Sequence, residues 1–224
     1  MIELDKHLIT EGSTVLEAMK KLNNIPQTLT LFVINGDQKV IGTLTDGDIR
    51  RGFLNGLMLT DSVDKFMTDT FSYLNTTELS LPQIRQIKER GVRLLPLLDR
   101  SGRIIRVVDF GKVKTILPVD AVLMAGGRGE RLKPLTDHTP KPMLKIGEKP
   151  ILEHNLEQLA SYGIQQYYIT VRYLADQIES YFGDGSNKDI SIQYIRENEP
   201  LGTIGSLSLI PELRHDHILV MNSD

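Results

Sequence analysis

The sequence predicts an α/β chain in two parts: two small repeated α/β units over residues 1–117, then an open parallel-sheet region over 118–224. Three observations predict it. Residues 1–60 and 61–117 share one order of helical pattern, strand, turn and strand. After Pro118, strand-like and helix-like stretches alternate, which implies right-handed crossovers and a parallel sheet. The apolar run Ala121-Val122-Leu123-Met124-Ala125 reads as a buried strand, and Gly126, Gly127 and Gly129 follow it at once.

In the first unit, Thr14 and Glu17 have the spacing of a capping box, and Val15, Met19 and Leu22 share one helical face, so a helix is expected over 14–23. A strand over 29–34, the turn Asn35-Gly36-Asp37 and a strand over 39–43 follow, and a short helix starts at Asp46. The second unit repeats the order. Its helix over 81–90 has Pro82 early and Gly91 as a stop, and its strands run over 94–98 and 103–108 around the turn 99–102. From Pro118 onward, strands are expected at 121–125, 166–171, 190–195 and 217–221, and helices at 151–162, 174–182 and 204–210. The strand order would be 3-2-1-4, with ligands beyond the carboxyl ends of the strands.

Composition narrows the function classes. The 224 residues are 40% hydrophobic and 25% charged, ordinary globular values. A net charge of −3 gives no general case for nucleic-acid binding. With no cysteine there is no disulfide framework and no thiolate metal site. The start Met1-Ile2-Glu3-Leu4-Asp5-Lys6 is not a signal peptide, and no apolar run approaches a membrane span. A cytoplasmic protein with no membrane partner is therefore the default expectation.

The glycines carry the chemistry. About 25 residues of irregular chain separate the strand at 121–125 from the helix near Pro150, and compact domains keep such loops for a use. Glycine lets backbone N–H groups approach a ligand, and turned amides form an anion-binding nest. Arg131 and Lys141 add two positive charges. The pattern is neither a Walker loop, since no Gly-Lys-Ser/Thr follows, nor a dinucleotide fingerprint, since no helix starts at the third glycine. It describes a polyphosphate cradle. The string Gly126-Gly127-Arg128-Gly129-Glu130-Arg131-Leu132, then Pro134-Leu135-Thr136 and Pro140-Lys141-Pro142-Met143, resembles the signature of the sugar-phosphate nucleotidyltransferases. Tyr173-Leu174-Ala175-Asp176-Gln177, continuing to Gly185, is also close to that family's second-strand region.

The resemblance implies transfer of a nucleotidyl group from a nucleoside triphosphate to a sugar 1-phosphate, giving a nucleotide-sugar and pyrophosphate. Ala125, Gly126, Gly127 and Gly129 would cradle the nucleotide, Arg131 would hold the β- and γ-phosphates, and Lys141 would reach between the α-phosphate and the sugar phosphate. Glu197-Asn198-Glu199-Pro200-Leu201-Gly202-Thr203 resembles the base-reading loop, with Glu197, Gly202 and Thr203 as nucleotide contacts. A carboxylate only accepts hydrogen bonds, whereas a glutamine amide also donates. Glu197 therefore suits the adjacent N1–H and N2–H of guanine and tilts the choice to GTP, with UTP or dTTP as the alternative. Asp224, after the strand at 217–221, stands where the family binds Mg2+, a hard cation shared with substrate phosphates. The cluster His215-Asp216-His217 reads as solvated.

In the first half, Gly42-Thr43-Leu44-Thr45-Asp46-Gly47-Asp48-Ile49 closes the first unit and resembles the CBS domain, a module that normally occurs as a tandem pair. The resemblance places Thr45 on phosphate and Asp48 on the ribose hydroxyls of an adenine nucleotide, though both residues would equally cap a helix. In the second unit Arg106, Asp109 and Lys112 replace the motif's glycine, threonine and aspartate, which removes the ribose acceptor. The pair thus either senses an adenine nucleotide or is structural, for example forming a homodimer. Together the resemblances imply a tandem CBS pair followed by the nucleotide-binding half of a Rossmann-like nucleotidyltransferase domain. This arrangement resembles guanylyltransferases for amino-sugar 1-phosphates such as glucosamine 1-phosphate, or for mannose 1-phosphate. They further imply that the sugar-contacting part and a second metal aspartate lie outside this chain, which alone would turn over weakly or not at all. A non-catalytic regulatory protein that senses adenine nucleotides is the reading from another class.

Overall fold

The computed structural model describes residues 3–25, 27–76, 79–199, 201–202 and 204–223. The chain divides into two compact units, Met1–Lys112 and Val113–Asp224. The sequence reading put the division after residue 117. The difference has a packing cause: Lys114 N–H donates to Ser161 O at 2.6 Å, Ile116 is buried and Leu117 packs on the second unit's core. Segment 113–117 therefore belongs to the second unit.

The first unit holds two three-stranded sheets of the same design. In the first, β1 (Leu8–Thr10), β2 (Thr30–Ile34) and β3 (Val40–Thr45) lie in the order β1-β2-β3. The strands β4 (Leu74–Asn75), β5 (Leu94–Leu98) and β6 (Ile104–Asp109) repeat that order in the second. In each, a parallel pair is followed by an antiparallel hairpin with one irregular step. The first strand of each sheet is short and lay outside the sequence reading.

Helix α1 (Val15–Asn23) starts with the expected capping box between Thr14 and Glu17. Its buried face is Val15, Ala18 and Leu22, while Met19 is exposed, so the core stripe is one position off the expected one. Helix α2 (Asp46–Leu54) follows β3 directly, and α3 (Leu81–Glu89) has Pro82 in its first turn. Phe32, Leu94 and Val107 form one small core drawn from both halves of the unit. The two hairpin turns also touch: Val40 N–H donates to Gly102 O at 3.0 Å, and Arg103 Nε donates to Asp37 O at 3.0 Å.

The second unit is built on β7 (Asp120–Met124). A small hairpin of β8 (Lys145–Ile146) and β9 (Lys149–Pro150) comes next, then α4 (Ile151–Ser161), β10 (Gln166–Val171), α5 (Ala175–Phe182), β11 (Ser191–Arg196) and β12 (Ile218–Asn222). The sheet runs β11-β10-β7-β12 with every pair parallel, the expected 3-2-1-4. Strand β7 is central and buried on both faces, which explains its unbroken apolar sequence. Ala121 and Leu123 face α4 and α5 through Leu152, Leu156, Ile178 and Phe182. Val122 packs on the other side with Tyr168, Ile195, Leu207 and Ile210.

Three expectations are corrected here. The helix expected over 204–210 is a five-residue 3-10 turn, Gly205–Leu209. Pro211 pushes Ile210 into extended backbone (φ −77°, ψ 117°), which stops a helix from growing. The stretch between β7 and α4 is not wholly irregular, since it contains two 3-10 turns, Glu130–Leu132 and Lys141–Met143, besides the β8–β9 hairpin. His215 is also not merely solvated: its Nδ1 lies 2.8 Å from an oxygen of the buried Asp120 carboxylate. That carboxylate also accepts from the N–H groups of Arg214 (2.6 Å) and His215 (3.1 Å), which fixes the approach to β12. Among the described residues no helix is long and apolar enough to cross a membrane.

Candidate functional site

The second unit's strands end on one side at a cleft of about 550 Å³. It lies where an open sheet reverses its strand order, since the chain moves from β7 out to β10 and β11 and then returns to the far side of β7 as β12. Ala125, Gly126, Gly127 and Gly129 line it, with Arg131, Lys141, Glu197 and Gly202. So every described residue expected to touch the phosphates or the base borders one space. Thr203 and Asp224 lie outside the described residues. Asn222 and Ser223 do line the cleft, and Ser223 is held to β7 by its hydroxyl, which donates to Met124 O at 2.7 Å.

The loop after β7 is held from several directions. Ala125 N–H donates to Thr170 O at 2.9 Å, which carries the chain straight off the sheet. Gly129 has φ +64°, and a Cβ built there would sit 2.9 Å from Thr136 Cγ2 and 3.0 Å from Lys141 Cβ. Glycine is thus required both for the left-handed backbone and to bring Lys141 close. Thr136, which is buried, donates from its hydroxyl to Gly129 O at 2.9 Å. Tyr173 Oη donates to Asp137 O (2.8 Å) and lies 3.2 Å from Thr136 O, while Gln177 Nε2 donates to His138 O at 2.9 Å. Arg128 lies over the Tyr173 ring, 5.8 Å from its centre. The segment around Tyr173, given no role from sequence, therefore clamps the glycine loop. By contrast, a Cβ at Gly127 would meet nothing within 4 Å, so its side faces open space.

The base-reading segment is placed by strand pairing. Glu197 follows β11, and its N–H donates to Val171 O at 2.9 Å, extending the β10–β11 ladder by one residue. Its carboxylate lies against the glycine loop, since a Cβ at Gly126 would come within 3.3 Å of Glu197 Oε2. Gly202, with φ +79°, also lines the cleft. Sequence reasoning missed Thr170, Arg172, Asn222 and Ser223, all of which line the cleft. They occupy the carboxyl ends of β10 and β12, and that position was the available signal. Among the described residues no group of three or more His, Asp or Glu gathers in a metal-holding cluster.

In the first unit, Thr45 caps α2 reciprocally with Asp48. Asp48 Oδ2 accepts from Thr45 N–H at 2.8 Å and from its hydroxyl at 2.6 Å. The other oxygen takes Thr68 Oγ1 at 3.2 Å and the Arg51 guanidinium. The carboxylate is buried and already engaged on both oxygens, so the capping role is made and any ribose contact must compete with it. Gly42 is needed for packing, since a Cβ there would lie 2.7 Å from Met67 Sδ. In the second half Asp109, which stands in the place of Thr45, is buried and accepts from Arg93 Nε (3.3 Å) and Gly111 N–H (2.8 Å).

Comparison with known proteins divides along the same line. Residues 120–224 match the nucleotidyl transferase family model, and residues 5–55 match the CBS domain model. The mannose-1-phosphate guanylyltransferase of Mycobacterium tuberculosis is 42% identical over 107 residues, 47% of this chain and 30% of that protein. The mannose-1-phosphate guanylyltransferase catalytic subunit beta of Drosophila melanogaster is 39% identical over 108 residues, 46% of this chain and 29% of that protein. The UTP--glucose-1-phosphate uridylyltransferase of Synechocystis is 39% identical over 101 residues, 41% of this chain and 26% of that protein. The chain thus spans less than a third of the length of these relatives. A match to the CBS domain model at residues 5–55 thus precedes a match to the nucleotidyl transferase model at residues 120–224.

Proposed function

We propose that the second unit forms the triphosphate-binding part of a sugar-1-phosphate nucleotidyltransferase that uses GTP. The observation that carries the reading is the meeting of three glycines, Arg131, Lys141 and Glu197 around one cleft at the carboxyl ends of a parallel sheet. Cations and turned amides in that position suit a polyphosphate. Three fixed elements for anion and base go beyond what a passive sensor needs. The relatives include both guanylyl- and uridylyltransferases at similar identity, so the choice of base rests on Glu197.

A sugar 1-phosphate is already largely a dianion at neutral pH, its second pKa being about 6, and needs no general base to become a nucleophile. One of its oxygens attacks the α-phosphorus in line, the bond to the β-phosphate oxygen breaks, and pyrophosphate leaves with that electron pair. The protein's part is to position two anions and neutralise charge as it shifts. The amides of Gly126, Gly127 and Gly129 and the Arg131 guanidinium hold the β- and γ-phosphates. Lys141, kept close by the absence of a side chain at Gly129, serves the bridging region where the new bond forms. Glu197 fixes the base and so the azimuth of the α-phosphate. Mg2+, held by Asp224 together with phosphate oxygens, would supply further charge neutralisation on the triphosphate.

Pyrophosphate release tests the reading. Each of GTP, UTP, dTTP and ATP is offered with a panel of sugar 1-phosphates that includes mannose and glucosamine 1-phosphate. Release with GTP that depends on both the sugar phosphate and Mg2+ supports it. Equal turnover of GTP and UTP removes the Glu197 claim. In a form of the protein that carries the sugar-contacting part, nucleotide binding with no release for any pair favours a regulatory protein. For the first unit, we propose an adenine-nucleotide site at Thr45 and Asp48 that opens when ligand displaces the Asp48 cap. A homodimer through the pair is the companion proposal.

A further inference from the structure

Arg172 is the residue this reading leaves unexplained. It directly follows β10, between the strand that feeds the glycine loop and the strand that feeds Glu197. It lines the cleft. Its Nε is buried without a hydrogen-bond partner among the described residues. A buried donor left unsatisfied is destabilising, so it calls for an acceptor that comes from elsewhere. Glu197 sits beside it: Val171 and Arg196 are the last registered pair of β10 and β11, and Arg172 and Glu197 come next on the two strands. Neighbouring strands lie about 4.8 Å apart, yet these opposite charges form no ion pair among the described residues. Each keeps its hydrogen-bonding edge for something between or above them.

We infer that Arg172 is a second base-reading residue, donating to O6 and N7 of guanine while Glu197 accepts from N1–H and N2–H. This deepens the GTP reading and rests on it. Guanine presents a pair of acceptors next to a pair of donors, which is the complement of a guanidinium beside a carboxylate. Arginine is the side chain that most often reads O6 and N7 together. Adenine reverses the pattern, with a donor at N6 facing the arginine and an unprotonated N1 facing the carboxylate. Uracil and thymine offer one donor to Glu197 and a single neighbouring acceptor to Arg172, so they satisfy the pair by half. Arg131 and Lys141 already serve the phosphates in the proposed function, which leaves Arg172 to the base.

Deleting single atoms from the ligand tests this without relying on a variant that must fold. The 224-residue chain is titrated by calorimetry, in Mg2+, with GTP, 7-deaza-GTP (no N7) and ITP (no N2 amine). Wild type should bind 7-deaza-GTP about tenfold more weakly than GTP, the scale of one good base contact, and ITP more weakly as well. In Arg172→Met the GTP over 7-deaza-GTP gap should close while the GTP over ITP gap remains. Equal wild-type affinity for GTP and 7-deaza-GTP overturns the role of Arg172 and leaves Glu197 standing. Arg172→Met weakening GTP and UTP by the same factor also overturns it and assigns the residue to phosphate. Absence of a GTP over ITP gap in wild type overturns the Glu197 reading itself.

Discussion

Replacing Gly129 with alanine strikes backbone and packing at once. At φ +64° a left-handed residue with a Cβ costs about 1–2 kcal/mol. The new methyl would lie 2.9 Å from Thr136 Cγ2 and 3.0 Å from Lys141 Cβ. Thr136 is buried and tied to Gly129 O by its own hydroxyl, so it yields little, and overpacking of this kind costs about 1–3 kcal/mol. The sum is about 2–5 kcal/mol, a large part of a typical domain's total stability. Six of the seven tyrosines lie in residues 113–224, and the chain has no tryptophan. Tyrosine fluorescence in a urea titration therefore follows this unit. Gly129→Ala should lower the midpoint markedly and weaken GTP binding by displacing Lys141. Gly127→Ala is the internal control: its Cβ meets nothing within 4 Å, so stability should stay within about 0.5 kcal/mol, while the methyl enters the cleft and weakens GTP. A Gly129→Ala midpoint at the wild-type value, or equal destabilisation by both substitutions, would refute the reasoning.

Other outcomes follow from single contacts. Burial alone would raise the Glu153 carboxyl, but hydrogen bonds from Lys188 Nζ (2.5 Å) and Tyr181 Oη (2.7 Å) outweigh it and hold it below its ordinary 4.5. A lowered folded-state value means stability that is present above about pH 4.5 and lost as pH falls through the folded value. Lys188→Met should therefore cost about 1–3 kcal/mol at pH 7, with the deficit shrinking below pH 4.5, as read by urea midpoints across pH. Asp48→Ala should cost the first unit about 1–2 kcal/mol through loss of its cap. It should also weaken AMP in a calorimetric titration, and unchanged AMP affinity would reject the ribose role. Glu197→Gln should narrow the preference for GTP over UTP in nucleotide binding, and an unchanged ratio would show that the carboxylate does not read the base.

Where the sequence was legible, one physical rule dominated. β7 is buried on both faces, so its apolar run needed no periodicity to be recognised, and the glycines after it could be placed at the carboxyl end of a sheet. The Thr14–Glu17 box marked a helix start because capping is local chemistry. The 3-10 turn at Gly205–Leu209 was misjudged because Leu207 and Ile210 have helical spacing and pack on the sheet, yet Pro211 limits their backbone. Met19 shares one helical face with Val15 and Leu22 by spacing, yet Ala18 is the residue buried beside them, a matter of how α1 is rotated, which short-range pattern does not fix. Arg172 was invisible for another reason. Its burial and lack of a partner exist only once β10 and β11 are paired, and no local motif announces them. Tyr173 and Gln177 likewise reveal their hold on the glycine loop only through tertiary hydrogen bonds.

A crystal structure of the protein with a non-hydrolysable GTP analogue and Mg2+ bears most directly on the central claim. The triphosphate should lie on the amides of Gly126, Gly127 and Gly129, with Arg131 on its distal phosphates, Lys141 near the α-phosphate and the guanine edge on Glu197. Analogue bound solely at Thr45 and Asp48, or a nucleotide in the cleft with its base on Arg131 and its phosphates turned away from the glycine loop, would contradict it.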